Sequence, residues 1–378
     1  MEQLAKTVKP FLEYDLLVEK LTSRGMILRD SLRAQRKLTQ IGYYRLSGYW
    51  HPALKYKFIQ PKEIIKYDEF QTGTTFDSIF DFYLFDKKIR LELLCAIERI
   101  EIYLRTIVAH ELGRIHPQAH FDKKNFSRFS TSIEKDDRFS EFDLWHRKHQ
   151  QLLEDSREDS IRSHIDNEKP IPIWVACEAW NFGTLSKLYS MLSGANQQMI
   201  CDRLGIDKRQ VLDNWLINLN GIRNRCAHHS RVCNRSNIRT IMTPKNGYFN
   251  LIALGSSESN KLYGLVVVIW FLLSKIGPSS DWINRMADLL DDKPEVIGLT
   301  FKSMGLPETG FPRKLFPKTI RTEPDIPVFA DLIESANNQN LQILDMLREK
   351  KHDSEVDHEL LKRTVESLLE LAMKLEEL

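Results

Sequence analysis

At 378 residues the chain has room for one large domain or two. It is 42% hydrophobic and 28% charged, the balance of an ordinary soluble globular protein. Its formal net charge of +2 excludes a global basic field, so any affinity for nucleic acid must come from local patches.

Residues 10–60 read as short helices with an aromatic-rich turn at Gly42–Trp50. Arg45 lies in that turn among Tyr43, Tyr44, Tyr49 and Trp50. Basic plus aromatic side chains suit RNA contact by stacking over a phosphate, and equally a packed turn with an arginine on a tyrosine. A long helix is predicted over 75–112, because Ile89, Leu93, Ile97, Ile100, Leu104, Ile107 and Leu112 recur mostly at three or four. Gly113 and Pro117 are expected to end it. Residues 113–168 read as a polar surface excursion with one helix near Glu141–Glu154. Pro170 and Pro172 fix the chain before Trp174. Helices follow at about 173–180, 184–193, 196–204 and 208–235. A small hairpin is expected at 242–260, a core helix at 260–276, a further helix at 281–291, and loop from Pro294 to Pro327. The tail 322–378 reads as helical, with Leu361, Val365, Leu368, Ala372 and Leu375 at four-three spacing. Two heptads are too short for an independent coiled coil, so this tail packs on the main body or meets a partner. The class is all-α, mostly helical.

The longest apolar run, Leu262–Leu273, is too short to span a bilayer and suits a buried helix, so no membrane role is expected. The five cysteines are odd in number and lack CxxC pairing, which reads as reduced thiols in a cytoplasm. No secretory signal opens the sequence.

The segment Gly221–Arg235 carries the most chemistry: four arginines, two histidines and two asparagines in fifteen residues. Residues 220–235 contain no Glu, Asp or Lys, so nothing within the segment neutralises it. On a helix, with about 100° per residue and Asn220 at zero, Asn224, His228, Arg231 and Arg235 fall within roughly 80° on one side. Arg223 and Asn234 fall within about 60° on the other, while Trp215, Ile222, Cys226 and Cys233 gather opposite. This is an amphipathic helix whose polar face favours an anion. Arg223 and His228 are a minimal kit for cutting RNA without a metal, since a histidine moves a proton and an arginine holds phosphate oxygens in a planar fork. Asn224, one turn before His228, is placed to orient its ring or contact phosphate. Arg231, Arg235 and Asn220 are candidate RNA contacts. The bland alternative is a core helix whose arginines reach carboxylates elsewhere.

The same Arg-x4-His spacing recurs at Arg105 and His110, where Glu101 stands one turn before Arg105. An i,i+4 ion pair is the simplest account, and a second catalytic motif is the other. Cys226, His228, His229 and Cys233 suit zinc poorly, because consecutive helical histidines point about 100° apart. No metal or cofactor is expected.

The string Arg-Asn-x-Cys-Ala-His-His-x-Arg-x-x-Asn-Arg at 223–235 resembles the signature of the bacterial Abi-like family, the AbiD/AbiF group of abortive-infection proteins. Leu38–Tyr49, with Ile-Gly-Tyr-Tyr-Arg-Leu-Ser-Gly-Tyr, resembles another of its blocks. So do Lys9-Pro10 with Leu21–Ile27, Ile97–Arg105, Ile171–Val175 and Asn181–Ser186. The likeness spans roughly 9–310. It implies the HEPN superfamily of helical ribonucleases: a HEPN-like bundle over 61–310, an N-terminal helical segment 1–60 and the tail 322–378. It implies a metal-independent endoribonuclease that shuts down a phage-infected cell. It also implies a homodimer apposing two Arg-x4-His motifs, with RNA as substrate and a structured RNA as a possible regulator. The type VI CRISPR effector nucleases, which resemble this family, carry two such motifs in one chain, which keeps Arg105 and His110 in view. Some members of the superfamily are non-catalytic, so the alternative is an RNA- or partner-binding module of the same fold.

Overall fold

The computed structural model describes residues 8–60, 63–133, 137–245 and 247–316. The chain divides into two units, Met1–Ile320 and Arg321–Leu378, and every described residue lies in the first. The tail helices expected at 322–378 lie outside the described residues.

Three helices open the fold: α1 (Tyr14–Ser23), α2 (Ser31–Ile41) and α3 (Tyr43–Trp50). The expected aromatic turn at 42–50 is therefore a helix. Gly42 sits between α2 and α3 with φ +89°, a backbone state that disfavours any side chain, and it lets the two helices abut. Strands β1 (Leu54–Gln60) and β2 (Glu63–Phe70) form an antiparallel hairpin. Sequence reasoning missed this hairpin, although Leu54 and Tyr56 alternate with Lys55 and Lys57 at the strand period.

Helix α4 (Phe76–Ile115) is 40 residues long, roughly 60 Å, and organises the fold. Thr75 caps it by accepting the Ser78 amide at 3.0 Å. Its apolar stripe is fully buried: Ile89, Leu93, Ile97, Ile100, Leu104, Ile107 and Leu112 are all core. It runs through Gly113, whose missing side chain leaves room for the Trp174 ring, and stops before Pro117.

The polar excursion holds α5 (Arg128–Thr131), α6 (Glu141–Asp155) and α7 (Asp159–Asp166). Then come α8 (Ile173–Ala176), α9 (Phe182–Met191), α10 (Gly194–Leu204) and α11 (Arg209–Ala227). The expected hairpin at 242–260 is replaced by two short helices, α12 (Gly247–Ile252) and α13 (Ser256–Ser259), too brief to show a period in sequence. Helix α14 (Leu262–Ile276) is buried almost throughout, and α15 (Trp282–Asp291) follows. No helix among the described residues is long and apolar enough to cross a membrane. Helices α3, α8, α10, α11, α14 and α15 all pack on α4, and the structure is mostly α-helical, with one two-stranded sheet among the described residues.

Candidate functional site

Helix α11 ends at Ala227, eight residues before the predicted end. The cause is a Schellman motif. The His229 amide donates to the Cys226 carbonyl at 3.1 Å, and the Ser230 amide donates to the Arg225 carbonyl at 2.8 Å. His229 occupies the left-handed position at φ +57°, where glycine is usual, so the sequence carried no stop signal. His228 is the C-cap residue. Arg223 and Asn224 lie in the last turns of α11, whereas Arg231, Asn234 and Arg235 lie in the irregular segment beyond. They do not share a helical face with His228, and this corrects the predicted arc.

That segment is nevertheless held tightly. Asp86 on α4 is fully buried, and its Oδ1 accepts the amides of Val232 at 2.9 Å and Cys233 at 2.8 Å. Its Oδ2 accepts the Tyr49 hydroxyl at 2.9 Å and lies 3.7 Å from Arg90 Nε. Burial and the Asp86 carboxylate keep that phenol protonated. Arg90 Nη1 donates to the His229 carbonyl at 2.5 Å, and Arg45 Nη1 donates to the same oxygen at 3.1 Å. Helix α3 therefore joins the site through Arg45 and Tyr49, and α4 through Asp86 and Arg90. Arg45, expected among the RNA contacts, makes a backbone contact that fixes the helix end.

Sequence reasoning missed Asp86 and Arg90. The available signal was two opposite charges four residues apart on the apolar stripe of α4, where ionised side chains are rarely buried unless paired.

On the surface, the guanidinium of Arg223 donates to Asn224 Oδ1 at 3.5 Å. His228 is exposed. Asn220 is half-buried beside Gly183 of α9. Asn234 is committed to structure, donating to the Gly298 carbonyl at 2.7 Å and accepting from Ser303 at 2.5 Å. Next to the helix end is a cavity of about 380 Å³, lined in part by Gln40, Arg45, Lys87, Arg90, Leu91 and His229.

Cys226 and Cys233 are buried, while His228 and His229 are exposed. Burial, with the Asp86 carboxylate, pushes the Cys226 thiol up to about 12. No group of three or more His, Cys, Asp or Glu side chains among the described residues is arranged to hold a metal ion.

Arg105 pairs with Glu101 at 2.6 Å, the i,i+4 contact expected from spacing. His110 lies 3.1 Å from Glu111. Arg105 is fifteen residues, roughly 22 Å, along α4 from the Arg90 that holds His229. The fold does not bring this second motif to the first.

A family model described as Abi-like protein matches residues 36–234, from the middle of α2 to the irregular segment after α11. No curated protein and no solved structure is similar enough to the chain to match it.

Proposed function

The chain belongs to the Abi-like protein family, which ties it to abortive infection against phage, and on that premise we propose that it is a metal-independent endoribonuclease of the HEPN type. One observation carries the reading. A fully buried aspartate, a buried arginine and a buried tyrosine are all committed to fixing the exposed segment that bears His228 and His229. Burying ionised groups costs free energy that a plain apolar contact would not. Such an arrangement suits a loop whose surface position has to be held for chemistry.

In this mechanism the ribose 2′-oxygen attacks the adjacent phosphorus and the bond from phosphorus to the 5′-oxygen breaks. The 2′-hydroxyl proton leaves to a base, and the departing 5′-oxygen takes one from an acid. His228 serves one of these proton transfers. Arg223 holds the non-bridging oxygens where charge builds up, through its planar fork. Asn224 lies beside Arg223 and contacts phosphate or orients the ring. The products are a 2′,3′-cyclic phosphate and a 5′-hydroxyl. A single Arg–His pair supplies one imidazole, so a homodimer apposing two α11 ends supplies the second. The setting is the cytoplasm, where RNA is the substrate.

The test is incubation of the purified protein with total cellular RNA, with and without EDTA, beside Arg223→Ala and His228→Ala. Cleavage that survives EDTA and is lost in both variants is expected, with His228→Ala slower by roughly 10²–10⁴-fold. Binding without cleavage by the wild type would leave the non-catalytic RNA-binding reading in its place.

A further inference from the structure

A second cationic surface lies on the other flank of α11. Arg225 is two residues from Arg223 and so about 200° around the helix. Its Nη1 donates to the Ser236 carbonyl at 2.9 Å, which turns it toward the segment containing Arg231 and Arg235. From the N-terminal part of the fold come His51, just after α3, and Lys66 on β2, with Lys66 Nζ 3.5 Å from His51 Nε2. These groups press on one another. Burial, then the Arg235 charge, lowers the proton affinity of both Arg225 and Arg231. Burial, then Lys66, Arg231 and Arg235, does the same to His51.

Among the described residues, no acid is free to answer this cluster. Asp86 is the carboxylate that acts on Arg231, and it is already committed to Tyr49, Arg90 and two backbone amides. Arg231 Nε and Nη1 are buried and have no hydrogen-bond partner among the described residues. Buried arginine nitrogens are costly to leave unpaired, and like charges gathered from three elements add repulsion. An anion seated there would relieve both. Opposite Lys66 in the hairpin register stands Tyr56, half exposed, on the same face of the two strands. A cation beside an exposed aromatic ring is the arrangement that takes a phosphate and stacks its base.

We propose that His51, Lys66, Arg225, Arg231 and Arg235, with Tyr56 at their edge, bind the phosphodiester backbone of single-stranded RNA as it leaves the Arg223–His228 pair. This rests on the ribonuclease reading and specifies the substrate: an unpaired strand that crosses the end of α11 and is held on both flanks.

The experiment measures fluorescence anisotropy of a labelled 20-nucleotide 2′-O-methyl RNA, which lacks the attacking hydroxyl and cannot be cut. The wild type is compared with Lys66→Gln/Arg235→Gln and with Tyr56→Ala between 50 and 200 mM salt. Lys66 and Arg235 are exposed, so the double variant keeps its fold, and its unfolding midpoint serves as the control. Affinity is expected to fall at least tenfold, and the slope of log K against log salt to flatten by about 0.7 for each phosphate contact removed. Tyr56→Ala is expected to weaken binding without changing the slope. Unchanged affinity and slope in the double variant would overturn the proposal. So would binding of phosphatidylserine vesicles with no binding of RNA. Cleavage of unmodified RNA is scored separately: salt-sensitive binding without cutting refutes the ribonuclease reading and leaves this surface standing.

Discussion

The carboxylate of Asp86 accepts the amide of Cys233 at 2.8 Å across 147 residues of sequence. The same carboxylate takes the Val232 amide and the Tyr49 hydroxyl, and Arg90 stands beside it. Asp86→Ala would strand a buried guanidinium and two buried amides, and is expected to cost about 3–5 kcal/mol in urea unfolding. Asp86→Asn keeps one oxygen for the amides and can donate to the Tyr49 oxygen, so it should cost no more than about 2 kcal/mol. Equal losses in the two variants would mean that the carboxylate is not the organising group.

His229 holds a left-handed backbone conformation, and its carbonyl receives both Arg45 and Arg90. A Cβ at such a position costs roughly 1–2 kcal/mol. His229→Gly should therefore be more stable than His229→Ala by about 1 kcal/mol while both keep the carbonyl contacts. Cleavage should fall less in His229→Ala than in His228→Ala. A dead His229→Ala beside an active His228→Ala would reverse the roles assigned to the two rings.

The long helices were legible because their apolar residues recur over many turns. The α4 stripe and the α14 run needed nothing beyond periodicity and length. The end of α11 was not legible, because a histidine fills a position where glycine would have announced the stop. Arg231 and Arg235 read as a charged set with no acid nearby in sequence, but their placement with His51 and Lys66 depends on the β1–β2 hairpin, whose alternation is short. Arg45 shows the limit of composition. An arginine among tyrosines fits base contact and a packed turn equally well, and the bond to the His229 carbonyl lay 184 residues away.

The dimer expectation has its own measurement. Tyr44 and Leu91 are exposed apolar side chains on α3 and α4, with Leu91 lining the cavity beside His229. Such side chains near the α11 end suit contact with a second copy. Light scattering at micromolar concentration is expected to give twice the chain mass, and Leu91→Glu to shift it toward monomer with loss of cleavage. A monomer that still cuts RNA would refute the composite cleft.

Stability should also respond to acid through a pair of buried histidines on the polar excursion. His120 and His149 are fully buried, with ring centroids 5.2 Å apart. Trp180 Nε1 donates to His149 Nδ1 at 2.8 Å, so that nitrogen is an acceptor, and a proton there would face another N–H. Neither ring nitrogen of His120 has a hydrogen-bond partner among the described residues. Burial, followed by the nearby imidazoles, lowers His120 to about 3 and His149 to about 4, against 6.5 when free. Below pH 6.5 the unfolded chain therefore takes up protons that the folded chain refuses. Stability should fall as pH drops from 6.5 toward 4, by up to about 1.4 kcal/mol per pH unit for each histidine, and level off only below both folded values. Asp143, held down to about 2 by Ser140 and Lys123, adds its loss only below pH 4 and does not confuse that window. Urea unfolding at pH 7, 6, 5 and 4.5 should show the decline, to which His51 and His146, also lowered by burial, add their share, and His120→Phe should make the slope measurably shallower. A slope unchanged by that substitution would mean that His120 takes up protons in the folded state as readily as in the unfolded chain.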